Sequence, residues 1–195
     1  CHMSLVELRE HCFTMPDKAN WIPYRNSYYN ENWGFCLSQK QLDTLEEGEY
    51  EVCIDSSLEN GAMSYGECYL PGDTEEEIFF SAHACHPSLA NDNLSGLALA
   101  TYLARALKDT QRRYSYRFIF APGTIGAITW LALNQAQTSH IHHGLILACL
   151  GDTGDVNYKR SRHGNAPIDQ AAAYTLAQSG ATYTLQDYSP YGYDE

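Results

Sequence analysis

From residue 78 onward, short apolar strands alternate with longer, mostly apolar helices along the chain. The run Ile78-Phe79-Phe80 is typical of a strand that is buried on both faces. The segment 94–107 places leucines among alanines, which favours a helix that is stable only when packed inside a protein. Strands and helices that alternate in this way predict an α/β fold, with a largely parallel mixed sheet and helices on both faces. We expect strands at 78–82, 117–121, 145–150 and 182–185, and helices at 94–107, 124–134 and 169–178.

The first 72 residues follow a different pattern. A short helix is predicted at 5–11, and prolines then interrupt an aromatic-rich segment. Apolar and polar residues alternate over 50–55, and Glu59-Asn60-Gly61 favours a hairpin turn into a second strand at 63–69. The chain is therefore expected to have three parts: an N-terminal helix with its connection over 1–22, a small β-rich inserted unit over 23–72, and an α/β domain over 73–195.

The charge of the chain excludes several classes of partner. Its 195 residues carry a formal net charge of −12, with a pI near 5.0. The chain therefore lacks the cations that neutralise the phosphates of nucleic acids or anionic lipids. One basic cluster, at 158–162, runs against this trend and is either an ordinary solvated loop or a holder of a substrate carboxylate or phosphate. The expected partner is a small-molecule or peptide substrate, with no nucleic acid and no membrane.

The seven cysteines indicate a reducing compartment. Their number is odd, and none of their spacings is the Cys-x-x-Cys of a structural zinc site. We therefore expect free, mostly packed thiols and a cytoplasmic location. The sequence shows no apolar run near the roughly 20 residues that cross a bilayer, and we expect no signal peptide at its start.

Polar residues follow three of the predicted strands, at the points where those strands end. His83 closes the first strand, Gly123 and Thr124 follow the second, and Asp152 follows the third, while Asp92 stands at the start of the first helix. Because open α/β sheets gather ligands at the carboxyl ends of their strands, we expect these residues to lie close together. Imidazole and carboxylate are ligands that Zn²⁺ prefers. His83, Asp92 and Asp152 are therefore the candidate metal ligands.

Each candidate also has an ordinary structural interpretation. Asp92 lies within Asn91-Asp92-Asn93, where an acid is often only a helix cap. His83 taken alone would more often be a hydrogen-bonded core histidine, and Asp152 precedes Gly154, which suits a turn. The spacing of His83 and Asp92 at one edge of the sheet favours the metal interpretation. A denser histidine cluster, in a polar loop at the opposite edge, is interpreted as surface residues: His140, His142 and His143.

The helix start Ala90-Asn91-Asp92-Asn93-Leu94-Ser95-Gly96 resembles that of the zinc-dependent exopeptidases, the aminopeptidase superfamily. That superfamily has a strand ending in His-x-Asp, followed by a Gly-Ala-x-Asp-Asn-x-Ser-Gly helix start. More specifically, the chain resembles a bacterial group of aminopeptidase-like proteins often linked to polysaccharide biosynthesis loci, which carry a small β domain inserted in the peptidase fold. The resemblance covers essentially the whole chain, through segments at 21–25, 28–29, 33–36, 85–93 and 192–195.

The resemblance implies one or two zinc ions, with His83 and Asp92 as ligands and Asp152 as a further carboxylate ligand. In the classical enzymes the acid at the position of Asp92 bridges two metals. The chain departs from the family pattern in two places. Cys85 stands where the family has the Asp that orients the metal-bound histidine, a task that a thiol performs less well. The paired glutamates expected after the next strand, a general base and a ligand, correspond to Pro122-Gly123-Thr124, which has no carboxylate.

The resemblance leaves the general base and the remaining ligands open. Members of the group begin earlier than this sequence and continue beyond 192–195 into more sheet and a late histidine ligand. From topology, the candidate bases are Glu67, Asp155, Asp194 and Glu195. The candidate alternative ligands, or neighbours of the ligands, are Cys85, His86, Asp194 and Glu195.

Three functions are consistent with these residues. The first is a zinc-dependent hydrolase of the aminopeptidase type, which cleaves an amide bond of a small peptide or aminoacyl substrate. The second is a catalytically degenerate peptidase fold that binds a small ligand in polysaccharide or secondary-metabolite biosynthesis, and the missing carboxylates at Gly123 and Thr124 favour it. The third takes Cys85 as a nucleophile paired with His83 or His86, although Cys85 lacks the helix start that would stabilise a thiolate.

Overall fold

A computed structural model of the chain describes residues 1–25, 30–57, 59–86 and 89–189. The chain divides into two compact units, Cys1–Asn60 and Gly61–Glu195. The three-part division expected from the sequence, at 1–22, 23–72 and 73–195, stays a prediction. None of the helices in the described ranges combines the length and the apolar character that crossing a membrane requires.

Short elements make up the first unit. They are β1 (His2–Ser4), α1 (Leu5–Glu10), β2 (Cys12–Phe13), β3 (Phe35–Cys36), α2 (Gln39–Asp43) and β4 (Glu49–Glu51), with a 3-10 helix at Pro16–Lys18. β1 pairs antiparallel with β4, and β2 pairs parallel with β3. Both α-helices begin with a capping box, in which Ser4 and Ser38 bond reciprocally with Glu7 and Gln41. The helix predicted at 5–11 is present as α1.

The second unit contains a four-stranded sheet and a separate pair of strands. Its elements are β5 (Gly66–Leu70), β6 (Glu77–His83), α3 (Leu94–Lys108), β7 (Ser115–Ala121), α4 (Ile125–Leu133), β8 (Ile141–Ile146), β9 (Val156–Lys159), α5 (Pro167–Ser179) and β10 (Tyr183–Gln186), with a 3-10 helix at Gln137–His140 before β8. The sheet order is β5-β7-β6-β8. β6 is parallel to β7 and β8, whereas β5 is antiparallel to β7. The expected α/β fold with a largely parallel mixed sheet is therefore confirmed.

Helices pack on both faces of this sheet, as the sequence predicts. On one face, Ala100 and Ala104 of α3 form a buried cluster with Phe80 and Phe118 of the sheet. On the other face, Trp130 of α4 belongs to a second buried cluster that also contains residues of β7. The small side chains of Ala100 and Ala104 allow α3 to pack closely against the phenylalanine rings.

The inner strand β6 positions the candidate site. Its residues are mostly buried, and its last residue, His83, is paired in register with Ala121, the last residue of β7. On the other side, Ser81 is paired with Ile146 at the end of β8. Because these three strands are parallel, their carboxyl ends lie along one edge of the sheet. The histidines at 142 and 143 lie in β8 near its amino end, at the opposite edge.

The strand pairing differs from expectation in three places. The hairpin expected between 50–55 and 63–69 does not form, because β4 pairs with β1 and β5 pairs with β7. Apolar side chains of β5 pack against the α3 cluster, and this burial outweighs the local turn signal. The strand expected at 182–185 is β10, which pairs with β9 and does not join the larger sheet. The strand expected at 145–150 is β8, which ends at Ile146 because the next backbone groups bond to side chains from the start of α3.

Candidate active site

An imidazole and a carboxylate form the centre of the candidate site. His83 is 8% exposed, and its Nε2 lies 2.7 Å from Oδ1 of Asp92. Nε2 of His86 lies 3.4 Å from the other carboxylate oxygen, Oδ2. The hydrogen bond with His83 is the main reason that the pKa of Asp92 lies below its usual range, although partial burial acts against it. Asp92 is therefore ionised at neutral pH, with an imidazole near each oxygen.

Asp92 is not the N-cap of α3. That position belongs to Asn93, whose Oδ1 accepts a hydrogen bond from the backbone N–H of Gly96 at 3.3 Å. The helix-cap interpretation of the acid is therefore wrong, because the neighbouring amide satisfies the helix start. The carboxylate of Asp92 is available to the two imidazoles instead.

Three side chains at the start of α3 hold the segment that follows β8. Asn91, Asn93 and Ser95 occupy alternate positions, and we call them the α3 clamp. Each bonds with backbone groups of 147–151, the segment that follows the end of β8 at Ile146. The bonds run from Asn93 Nδ2 to Leu147 O (2.8 Å), from Cys149 N to Asn93 Oδ1 (3.0 Å), from Leu150 N to Ser95 Oγ (2.9 Å) and from Gly151 N to Asn91 Oδ1 (2.7 Å).

Glycine is required at position 96 because two backbones approach each other there. A Cβ added to Gly96 would lie 2.2 Å from the carbonyl oxygen of Leu147 and 2.6 Å from Oδ1 of Asn93. No side chain fits at that distance, so the helix start meets the segment after β8 without an intervening side chain. The Ser-Gly pair of the motif is therefore explained by packing as well as by hydrogen bonding.

Asp152 lies beside the α3 clamp. Its Oδ2 accepts from Nδ2 of Asn91 at 2.9 Å, and its Oδ1 accepts from the backbone N–H of Gly154 at 2.8 Å. The second bond is the turn interaction that the sequence allows, and the first ties the carboxylate to the residue before Asp92. Burial raises the pKa of the Cys149 thiol, and the negative charges of Asp92 and Asp152 raise it further. The bond from Asn91, the residue before Asp92, brings the Asp152 carboxylate to the same edge as Asp92.

The donor types at this edge fit a zinc ion. Proteins bind Zn²⁺ through imidazole nitrogen and carboxylate oxygen, the groups that His83 and Asp92 supply. Two ligands of a tetrahedral zinc ion lie about 3.3 Å apart when each bond is about 2.0 Å long, whereas these two side chains are directly hydrogen-bonded at 2.7 Å. Within the described ranges, no group of three or more His, Cys, Asp or Glu side chains is arranged to hold a metal ion. The ligand set His83, Asp92 and Asp152 stays a prediction.

Glu67, one of the candidate bases, belongs to an ion-pair network on the sheet. Arg117 of β7 donates to Glu77 through Nε at 2.6 Å and Nη2 at 2.7 Å, and it also donates to Glu67. Nε1 of Trp130 donates to Glu67 at 3.3 Å. The hydrogen bond with Glu77 is the main reason that the pKa of Arg117 is raised. Glu67 therefore balances a partly buried guanidinium, which argues against a role as general base.

The remaining candidate bases and ligands are exposed or lie outside the described residues. Cys85 and Asp155 are exposed. The segment 122–124, between β7 and α4, brings no carboxylate to the edge where His83 lies. Two further candidates, Asp194 and Glu195, lie outside the described residues. The proposed roles of these residues, including Cys85 as a nucleophile, stay predictions.

The basic cluster at 158–162 lies at the end of β9 and in the loop before α5. Asp169, which is 4% exposed, accepts hydrogen bonds from several groups of this loop. Within the cluster, Arg160 donates to Asp187 at 2.7 Å. A role of the cluster in binding a substrate anion stays a prediction. The bonds to Asp169 come from Tyr158 Oη (3.0 Å), Ser161 N (2.7 Å), Ser161 Oγ (2.6 Å) and Ala166 N (2.8 Å).

Sequence reasoning missed the α3 clamp and the position of Cys149. A signal is present in 91–95, where polar residues occupy every second position just before and inside an otherwise apolar helix. Polar side chains at a helix start often bond with backbone groups nearby, so this pattern indicates that the helix start is hydrogen-bonded to other parts of the chain. The sequence does not indicate which backbone segment lies opposite, and the partner segment 147–151 is separated from it by more than fifty residues.

Comparison with known proteins places the chain among peptidase-like relatives. The family model described as "Domain of unknown function (DUF4910)" matches residues 10–195. A protein of Clostridium acetobutylicum named "Putative polysaccharide biosynthesis protein with aminopeptidase-like domain" is 49% identical over 193 residues, which are 99% of this chain and 44% of that protein. A crystal structure of a "putative peptidase" from Clostridium acetobutylicum has a TM-score of 0.96 and 48% identity, covering 100% of this chain and 46% of that one. The chain thus spans about half the length of the relatives it matches.

Proposed function

This chain belongs to the family described as "Domain of unknown function (DUF4910)", and from that premise we propose that it is a metal-dependent hydrolase of the aminopeptidase type. The names of the relatives support a peptidase-type hydrolase at a coarse level. The proposal adds zinc as the metal and an amide bond of a small peptide or aminoacyl compound as the substrate. Because the relatives are about twice as long, the activity of the whole protein belongs to the proposal as well.

The contact between His83 and Asp92 carries this proposal. A buried imidazole at the carboxyl end of an inner strand meets, at 2.7 Å, a carboxylate at the start of the next helix. Ligand sites of open α/β sheets form at this edge. Both side chains are zinc-ligand types, and binding of an ion would replace their direct hydrogen bond.

In the proposed site His83, Asp92 and Asp152 hold the ion. A bound zinc ion supplies Lewis acidity toward a carbonyl group and lowers the pKa of its water to about 7. The lowered pKa of Asp92 keeps its carboxylate ionised, and therefore able to bind a cation, well below neutral pH. Burial of His83 at the strand end fixes the position of its ring. Asn91 and Gly154 orient the carboxylate of Asp152.

Metal analysis of the purified protein tests the proposal. We expect about one zinc per chain after exposure to limiting zinc and removal of unbound metal. His83→Ala and Asp92→Ala are each expected to reduce the zinc content to background, because each removes a ligand. His142→Ala is the matched control, since His142 is an exposed histidine near the amino end of β8. A wild-type protein without zinc, or an equal loss in the control, would contradict the proposal.

A second candidate function is a catalytically degenerate peptidase fold that binds a small ligand in polysaccharide or secondary-metabolite biosynthesis. It is favoured because 122–124 supply no carboxylate and Glu67 is held by Arg117, so no general base is identified among the described residues. Aminoacyl chromogenic substrates, assayed with zinc, manganese and cobalt, separate the two functions. Turnover that disappears in His83→Ala supports the hydrolase. Thermal stabilisation by the same compounds without turnover supports the binding protein.

We also propose a reducing, cytoplasmic location. The seven cysteines are all free in the structure, which is the usual state of thiols in such a compartment. Five of them are exposed and two are half-buried, so the expectation that they are mostly packed is wrong. Mass spectrometry of protein alkylated at the moment of cell lysis tests this, because seven modified thiols are expected and disulfide-linked peptides would contradict it.

A further inference from the structure

One residue of the α3 clamp contacts a candidate ligand directly. Oδ1 of Asn91 accepts from the backbone N–H of Gly151 at 2.7 Å, while its Nδ2 donates to Oδ2 of Asp152 at 2.9 Å. The bonds of Asn93 and Ser95 to the same segment go to backbone groups. Asn91 also precedes Asp92 in the sequence, so this single residue connects the two carboxylates of the site.

The amide of Asn91 determines how the Asp152 carboxylate is turned. Asp152 has one donor at each oxygen, Asn91 at Oδ2 and the backbone of Gly154 at Oδ1. Two donors fix the plane of a carboxylate, whereas a single donor leaves rotation about the Cβ–Cγ bond. Each oxygen accepts more than one bond, so both donors are compatible with a cation on the remaining lone pairs.

The amide also acts where two negative charges come together. Asn91 precedes Asp92 in the chain and donates to Asp152, so the two negative charges lie at one edge and repel each other. The N–H of Asn91 stabilises one of them without adding a positive charge that would compete with a bound cation. Loss of a group that orients a metal ligand through a hydrogen bond typically weakens metal binding by about 10- to 100-fold.

We propose that Asn91 is a positioning residue, which acts through Asp152: its amide fixes the orientation of that carboxylate relative to Asp92 and thereby sets the affinity of the site for zinc. This inference rests on the proposed function. Asn91 is partly exposed, so its replacement removes the two hydrogen bonds without opening a cavity in the core.

Zinc affinity of Asn91→Ala, with Ser95→Ala as the matched control, tests the inference. Both variants break a bond to the segment after β8, and only the first removes a donor to Asp152. In competition with a chromophoric chelator, Asn91→Ala is expected to weaken zinc binding by about 10- to 100-fold. Ser95→Ala is expected to lower the melting temperature about as much as Asn91→Ala does, while its zinc affinity stays close to that of the wild type. Cobalt substitution gives a second readout, since the absorption bands of bound Co²⁺ shift when a ligand changes orientation.

Two outcomes would overturn the inference. One is a zinc affinity of Asn91→Ala equal to that of wild type. The other is a loss of zinc affinity that follows the loss of thermal stability equally in both variants, because that indicates a purely structural role.

A metal-free experiment separates failure of this inference from failure of the proposed function. If the wild-type protein binds no zinc, the proposed function fails, and the orientation of Asp152 is still measured through Cys149. In the presence of EDTA, the pH midpoint of Cys149 alkylation is expected to fall in Asn91→Ala, because Asp152 no longer stays near the thiol. A change in accessibility alters the limiting rate but leaves the midpoint in place. An unchanged midpoint would show that Asn91 does not hold Asp152.

Discussion

Two acids near helix starts in the second unit, Asp92 before α3 and Asp169 in the first turn of α5, lie in opposite environments. Asp169 is 4% exposed, and its described partners are hydroxyl and backbone N–H groups. The side chain of Asp92 is 55% exposed and contacts two imidazoles. A buried carboxylate with neutral donors fixes a loop, whereas an exposed carboxylate between imidazoles has partners that a metal ion also binds. The comparison distinguishes a structural acid from a candidate functional acid within one fold.

The pKa values of both acids are lowered, but for different reasons. Hydrogen bonding to His83 has the largest influence on the pKa of Asp92. For Asp169 the largest single influence is burial, which raises the pKa, and the hydrogen bonds from Ser161, Tyr158 and Ala166 together outweigh it. A lowered carboxyl pKa therefore does not identify a functional residue by itself. The chemistry of the partners does.

The largest expected effect is on stability, where replacing Asp169 should cost more unfolding free energy than replacing Asp92. Asp169→Ala leaves several partly buried donors without this acceptor, so we expect it to lower the free energy of unfolding by about 3 kcal/mol. Asp92→Ala removes a carboxylate that is 55% exposed, and we expect it to cost about 1 kcal/mol because solvent screens its contact with the buried His83. Urea unfolding of both variants, followed by circular dichroism, measures the difference. A larger cost for Asp92→Ala would reverse the assignment of the structural acid.

Asn93→Ala tests whether the start of α3 owes its stability to the clamp and not to Asp92. Asn93 is 0% exposed, and its removal leaves the Leu147 carbonyl and the Cys149 N–H without their partner. We expect a loss of about 2 kcal/mol in unfolding free energy. Asn134→Ala is the control, because that amide makes a single bond to the Trp130 carbonyl at the end of α4. Equal effects of the two substitutions in urea unfolding would count against the clamp.

The stability contributions of Asp92 and Asp169 should both depend on pH. Because the folded-state pKa of Asp92 is lowered, its charged form stabilises the fold above the unfolded-state pKa of about 3.9. This contribution is lost as the pH falls through the folded-state pKa. The difference in melting temperature between wild type and Asp92→Asn should therefore shrink as the pH falls below about 4. Asp169→Asn should show the same direction with a larger difference at neutral pH. A gap for Asp92→Asn that widens toward pH 3 would be inconsistent with the lowered pKa.

The smallest expected effect is on the reactivity of Cys149. Asp92→Asn and Asp152→Asn each remove a negative charge that raises the pKa of this thiol. Each is expected to lower the pH midpoint of Cys149 alkylation, because each removes one of the charges that raise its pKa. Asp169→Asn is the control with no expected change, and peptide mapping by mass spectrometry identifies Cys149 among the other thiols. An equal shift of the midpoint in Asp169→Asn would show that the charges of Asp92 and Asp152 have no specific effect on Cys149.

Local patterns in the sequence predict the elements better than their pairing. The apolar run at 78–80 and the leucine-alanine segment at 94–107 are β6 and α3, because periodicity and burial act within each segment. The partners of β5 and β10 depend on which apolar surfaces remain to be covered, and no local pattern carries that information. The hairpin signal at 59–61 therefore misleads.

The same limit applies to the candidate site. The proximity of His83 and Asp92 follows from a strand end and a helix start, and the structure places them 2.7 Å apart. Asn91, Asp92 and Asn93 all have side chains that are able to cap a helix, so the sequence does not determine which one does. In the structure Asn93 is the N-cap, and its amide also donates to the Leu147 carbonyl after β8. That second bond depends on the tertiary fold and not on the local sequence.

Anomalous scattering at the zinc absorption edge, from a crystal of the wild-type protein grown with zinc, shows whether His83 and Asp92 bind a common zinc ion. We expect a peak at about 2.0–2.2 Å from Nε2 of His83 and from a carboxylate oxygen of Asp92, with the direct hydrogen bond between them replaced. If no peak is present at saturating zinc, and the two side chains remain hydrogen-bonded at 2.7 Å, the claim that they are metal ligands is contradicted.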